Sequence, residues 1–258
     1  MNASNKSLWI ERQGEGVPVV YIHGLGGAGS VWEPQVRALG AGFRSIRIDL
    51  NGSGRSAPCP PVSFDGWVAD IATALDAEQV KKAHFVGHSL GTRVVQYFAV
   101  RHPDRAASMT LIGVSRPDPA RKQAVLDRAR TVRKSGMESV ADLIIKNALA
   151  EATLRDQPAV VACVRAMLMR QDPEGYALTC EASTSGEPIE PSAFDGPVLL
   201  LAGREDKVSP LAVSESFAKQ AKRAELRVIE QCGHWHMLEK PNAVSEALGD
   251  FLRGAAFD

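Results

Sequence analysis

Val86-Gly87-His88-Ser89-Leu90-Gly91 is the stretch whose reading decides the fold. It has the form Gly-x-Ser-x-Gly, with the apolar run Ala83-His84-Phe85-Val86 before it and Thr92 to Ala99 after it. A short β-type run, a tight turn and a helical run are the setting in which this pattern forms a nucleophile elbow. The reason is steric. A sharp turn from strand to helix holds Ser89 in a strained backbone conformation. It also leaves no room for side chains at Gly87 and Gly91. The hydroxyl then projects above the sheet, and the helix that opens at Leu90 aims backbone N–H groups at an anion forming beside it. Glycine-rich turns produce the same five residues by chance, so the rest of the chain has to supply the context.

Working outward, strands and helices alternate. Leu8 to Arg12 reads as a short edge strand, and Val17 to Ile22 as a strand buried on both faces. The loop His23-Gly24-Leu25-Gly26-Gly27 follows. Its spacing does not match a dinucleotide fingerprint, so the glycines are read as letting backbone N–H groups approach a substrate oxygen, with the Leu25 main chain as the expected donor. Trp32 to Leu39 looks helical, Phe43 to Leu50 alternates as a strand, and Asp65 to Glu78 carries Trp67, Val68, Ile71 and Leu75 at helical spacing. After the elbow and its helix comes the strand Ala107 to Ile112. This alternation predicts an α/β fold: a mostly parallel twisted sheet with helices on both faces.

From 117 to 190 the pattern changes to helix signals alone, including Asp172-Pro173-Glu174 as an N-cap with proline at the first helical position. The expected organisation is a core of residues 1–116 and 191–258 with a helical cap at 117–190. Trp32 and Met167 are candidate substrate contacts, with core packing the favoured reading of Met167 and loop packing an equal reading of Trp32. Strands resume at Pro197 to Ala202 and Leu226 to Ile229, and a terminal helix starts near Pro241.

Composition narrows the function. The chain has 258 residues, 45% of them hydrophobic, and a formal net charge of zero. Such a chain suits a globular domain without the single-sign field that draws in nucleic acid or an anionic membrane. Met1 to Ser7 has no apolar core, so no signal peptide is expected. Cys59, Cys163, Cys180 and Cys232 are scattered, which suits free thiols in a reducing cytoplasm. No metal-ligand spacing appears, and no cofactor is expected.

In open parallel sheets, ligands bind at the carboxyl ends of the strands. The loops there carry Ser89, Asp206 and His234, in that order. A serine hydroxyl attacks well only if a base takes its proton. His234 is the expected base, and Asp206 would hold its tautomer and stabilise the imidazolium. The N–H groups of Leu25 and Leu90 would hold the oxyanion. Each assignment has a rival: Asp118 for the acid, His236 for the base, Cys232 as a catalytic thiol, and Asp206 as a simple cap for the helix near Ser209. His23 and His88 are expected to tie loops together, and His84 and His102 to be structural.

Together, His23 to Gly27, Asp49 to Ser56, Gly87 to Gly91, Gly203 to Asp206, and Gly233-His234 with Glu239-Lys240-Pro241 resemble the α/β-hydrolase superfamily over essentially the whole chain. Within it the chain looks most like the small carboxylesterase and 3-oxoadipate enol-lactonase group, and Asp172 to Ala182 is similar to the end of the lid in such lactonases. Two departures are Thr92, where a small residue commonly stands, and Asn51, where arginine is usual. The resemblance implies hydrolysis of a small ester or lactone through a seryl acyl-enzyme, with a homodimer admitted. Carbon–carbon bond hydrolysis and cofactor-free perhydrolysis use the same framework, and a slow or inactive ligand receptor is the alternative of another class. Epoxide hydrolases and dehalogenases would have a carboxylate in place of Ser89. A carboxylate-bearing lactone would call for Arg121, Arg133 or Arg165 in the pocket.

Overall fold

A computed structural model describes residues 8–255 and 257; the stretch 1–7, read above for a signal peptide, lies outside the described residues. Seven strands form one sheet in the order β1-β3-β2-β4-β5-β6-β7. They are β1 (Ile10–Gln13), β2 (Gly16–Ile22), β3 (Gly42–Ile48), β4 (Ala83–His88), β5 (Ala106–Ile112), β6 (Val198–Gly203) and β7 (Ala224–Ile229). β1 runs antiparallel to β3, and every other pairing is parallel. This is the mostly parallel α/β sheet that the strand–helix alternation predicts, and it has the fold that the resemblance to the α/β-hydrolases implies.

The pleat sends successive side chains to opposite faces. In β2, Val19 and Tyr21 enter one core and Val20 and Ile22 the other. In β6, Leu199 and Leu201 part in the same way from Val198 and Leu200. The first face is covered by α1 (Glu33–Leu39) and α11 (Pro241–Gly254), and the second by α2 (Phe64–Ala77), α3 (Leu90–Arg101) and α9 (Leu211–Gln220). α2 shows how sequence sets this packing. Ser63 caps it by accepting the Gly66 N–H at 3.1 Å, and Phe64, Trp67, Val68, Ile71 and Leu75 form its buried stripe.

Between β5 and β6 the chain forms α4 (Pro119–Ser135), α5 (Glu138–Ala148), α6 (Glu151–Asp156), α7 (Pro158–Met169) and α8 (Pro173–Ser183). Asp172 caps α8 as its sequence predicts, accepting the Gly175 N–H at 2.7 Å. Val132, Ile145, Val164, Leu168 and Tyr176 join these helices to the first core. α8 also meets the core backbone to backbone: a Cβ on Gly175 would lie 2.7 Å from the Gly52 carbonyl oxygen. No helix among the described residues is long and apolar enough to cross a membrane.

Candidate active site

The sheet register aligns the strand ends. Ile22 lies beside Gly87, His88 beside Ile112, and Ile112 beside Leu201. Ser89 follows β4 at φ 51° and ψ −118°, a conformation that non-glycine residues adopt only under strain. Its N–H is held by Ile112 O at 2.9 Å. A Cβ on Gly87 would sit 2.5 Å from the Gly91 carbonyl oxygen, and one on Gly91 would strike the Ile22 and His23 carbonyls. Both glycines are therefore required by contact. Thr92, the first departure noted above, has a local purpose. Its hydroxyl donates to Ser89 O at 2.6 Å and accepts the Ser115 N–H at 3.0 Å.

Asp206 is buried after β6. One carboxylate oxygen accepts the N–H groups of Val208 and Ser209, each at 2.8 Å, and the other faces His234 Nδ1 at 2.8 Å. It thus caps the following turn and also orients the imidazole. Burial alone would raise its carboxyl, but the adjacent His234, the hydrogen bond to it, His236 and the Ser209 N–H outweigh burial and hold it at about 2. Asp206 is therefore an acceptor, so Nδ1 of His234 carries the proton and Nε2 is left as the basic nitrogen. Asp118, the rival acid, instead caps α4 through the Ala120 N–H at 2.9 Å and faces Arg121 at 3.3 Å.

Two neutral imidazoles brace the histidine. His88 Nε2 and His236 Nδ1 each donate to the His234 carbonyl, both at 2.8 Å. Burial pushes His236 down to about 4 and His88 well below the ordinary imidazole range. His23 ties loops as well: its Nε2 accepts the Leu50 N–H at 3.1 Å, and its Nδ1 donates to Gly24 O at 2.7 Å. Cys232 is fully buried, and burial pushes its thiol up, which removes the thiolate a nucleophile needs.

Ser89, Leu25, Leu90 and His234 open on one cavity of about 1110 Å³. Among the described residues, neither the Leu25 nor the Leu90 N–H has a backbone acceptor, so both are available at the cavity. α4 and the start of α9 form its side walls. The two candidate substrate contacts lie elsewhere. Trp32 is fully buried against Tyr21, ring centroids 5.5 Å apart, and Met167 belongs to the same core. Their bulk is used for packing.

Two residues that sequence reasoning left without a role support the loops. Gln171 Oε1 accepts the Gly54 N–H at 3.0 Å, and its Nε2 donates to Gly26 O and Gly27 O at 3.2 Å, bracing the Leu25 loop. Glu239, in the four-residue helix α10 (His236–Glu239), accepts from the N–H groups of Ala150, Gly233 and Trp235 and from the Thr153 hydroxyl, at 2.8–3.1 Å. Two of these donors flank His234. Glu239→Ala is expected to destabilise the protein by about 3–5 kcal/mol, since it orphans several buried donors. The kcat should fall at least tenfold as the His234 loop loosens. Thermal melts and steady-state rates check this, and unchanged values would refute the bracing role.

The sequence profile of the alpha/beta hydrolase fold family matches residues 17–241. The chain belongs to this family. It is 28% identical over 259 residues to RutD of Caulobacter segnis, which is named for carbamate hydrolysis, covering 92% of this chain and 91% of that one. Among solved structures it resembles a thermophilic esterase from Thermogutta terrifontis with malate bound, at 29% identity and a TM-score of 0.92, covering 97% of this chain and 94% of that one. It also resembles the enol-lactonase of Burkholderia xenovorans, at 27% identity and a TM-score of 0.90, covering 97% and 98%. Family and relatives together support a hydrolase.

Proposed function

We propose that this hydrolase cleaves a small carboxylic ester or lactone through an acyl-enzyme on Ser89. The observation that carries the proposal is the shared cavity. A serine on a strained elbow opens into it, and so does an imidazole whose far nitrogen is held by a buried carboxylate at 2.8 Å. In the first half-reaction Ser89 Oγ attacks the acyl carbon while His234 Nε2 takes its proton. The N–H groups of Leu25 and Leu90 bind the oxyanion, each such donor contributing about 2.7–4 kcal/mol. The tetrahedral adduct collapses, and His234 passes the proton to the departing alkoxide. In the second half-reaction water attacks the acyl-enzyme with His234 again as base, releasing the acid and restoring Ser89. The helices at 117–190 act as a cap through α4. The four free cysteines suit work in the cytoplasm.

A fluorophosphonate probe is expected to label Ser89 alone, once per chain, as read by peptide mass spectrometry. Label on Cys232, or none, would overturn the assignment. Turnover numbers over a panel of esters and lactones separate an enzyme from a receptor. Repeated cycles support the proposal, and a single acylation without further turnover counts against it.

A further inference from the structure

The chain has a formal net charge of zero, yet the cavity beside Ser89 is lined by Arg93, Arg116, Arg121, Lys122, Arg128 and Lys207 against a single carboxylate, Asp118. This excess is local, and two of the six cations are already engaged. Arg93 donates to the carbonyls of Ser183, Ser185 and Gly186 at 2.6–3.0 Å and lies over the Phe64 ring at 4.3 Å. Arg121 faces Asp118 and donates to Val208 O at 2.6 Å. Lys122 and Lys207 are exposed at the rim, where water screens them.

Arg116 and Arg128 differ. Among the described residues Arg116, half-buried in the loop after β5, has no ion-pair or hydrogen-bond partner. Arg128 is on α4, and its Nε is buried without a partner. Its neighbours are the Tyr176 ring, 5.9 Å from the guanidinium carbon, and the Cys180 thiol. Burial pushes both the phenol and the thiol up, so at neutral pH neither supplies a countercharge. The position on the helix is also informative. Arg121, Ala124, Val125 and Arg128 follow i, i+3, i+4, i+7 spacing and all line the cavity. The buried positions of α4 are Ala129 and Val132, so Arg128 stands on the cavity side of that stripe.

Arg128 is half-buried, and a guanidinium whose neighbours are a neutral phenol and thiol rather than a carboxylate is stabilised by an anion arriving from outside. Its planar fork of N–H donors matches a carboxylate. We propose that Arg128, assisted by Arg116, binds a carboxylate carried by the substrate, so that the preferred ester or lactone is an acid-bearing one. This rests on Ser89 as the nucleophile. The carboxylate is a spectator: it keeps its charge through both half-reactions and takes no part in bond making.

The test compares two matched pairs, each normalised to its rate with hydroxide. One pair carries the acid on the acyl side: p-nitrophenyl hemiglutarate against p-nitrophenyl valerate. The other carries it on the alcohol side: 4-acetoxybenzoate against its methyl ester. The acid is expected to win in at least one pair, by about 10- to 100-fold in kcat/KM, the range for a charge-assisted contact. Added salt should shrink that ratio. Arg128→Gln should bring it towards one, Arg128→Lys should keep part of it, and Arg116→Gln should lower it less. If Arg128→Gln does not fold, the other two variants still read the ratio. Equal or inverted preference in both pairs, with Ser89 still labelled by fluorophosphonate, overturns this inference alone, as does a preference that survives all three variants. Loss of labelling at Ser89 would overturn the nucleophile assignment and this inference with it.

Discussion

Ser89→Ala is expected to lower kcat on a short p-nitrophenyl ester by about 10⁴- to 10⁶-fold, the range seen when a triad nucleophile is removed. The far-ultraviolet circular dichroism spectrum should not change, because the side chain supports no helix cap. A variant that keeps most of its activity would mean another group attacks the substrate. Ser89→Gly extends the experiment to energetics. At φ 51° and ψ −118° a side chain costs roughly 1–3 kcal/mol, and glycine removes most of that cost. After the entropy lost by fixing a glycine, a net gain of about 1 kcal/mol is expected. The inactive Ser89→Gly should therefore melt a few degrees above the wild type. A lower melting temperature would mean that the elbow is relaxed with serine in place.

The second large effect is a loss of stability in mild acid. Burial holds His84 and His236 down to about 4, and His88 well below its ordinary range. On unfolding, each returns to an imidazole that titrates near 6.5. Below about pH 6.5 the unfolded chain therefore binds protons that the folded chain refuses, and stability falls as pH falls. For His84 and His236 the loss reaches about 3 kcal/mol each by pH 4. Asp206 extends the trend. Held at about 2, its carboxylate contributes stability that is fully present above its unfolded value near 4 and lost between 4 and 2. Melting temperatures measured from pH 7 to pH 4 are expected to drop steeply below 6.5. His84→Gln should reduce the slope by about one proton. A flat profile over that range would refute the buried neutral histidines.

The sheet and the elbow were legible because each rests on a local pattern. The apolar runs at 17–22 and 197–202 have strand length, and Gly87 and Gly91 stand where only hydrogen fits. α6 and α10 were not read because six and four residues carry no helical period. The site was legible in its strand-end side chains but not in its pocket wall. Arg121, Arg133 and Arg165 were the arginines singled out for substrate. Arg133 pairs with Glu174 and Glu181, Arg165 with Asp142, and Arg121 with Asp118. Most of those partners are remote in sequence, so spacing does not reveal which guanidinium is left over. Trp32 and Met167 take the packing alternatives that the sequence also offered, since a large apolar side chain suits a core as well as a pocket.

The His234 N–H donates to Ala148 O at 2.6 Å, and Glu239 accepts from Ala150 and Thr153. The base is thereby moored to the middle of the five-helix segment, at the α5–α6 corner. A chimaera that exchanged this segment for a relative's would have to transplant that corner with it. Otherwise the graft would fold over a sheet whose proton acceptor had lost its anchorage.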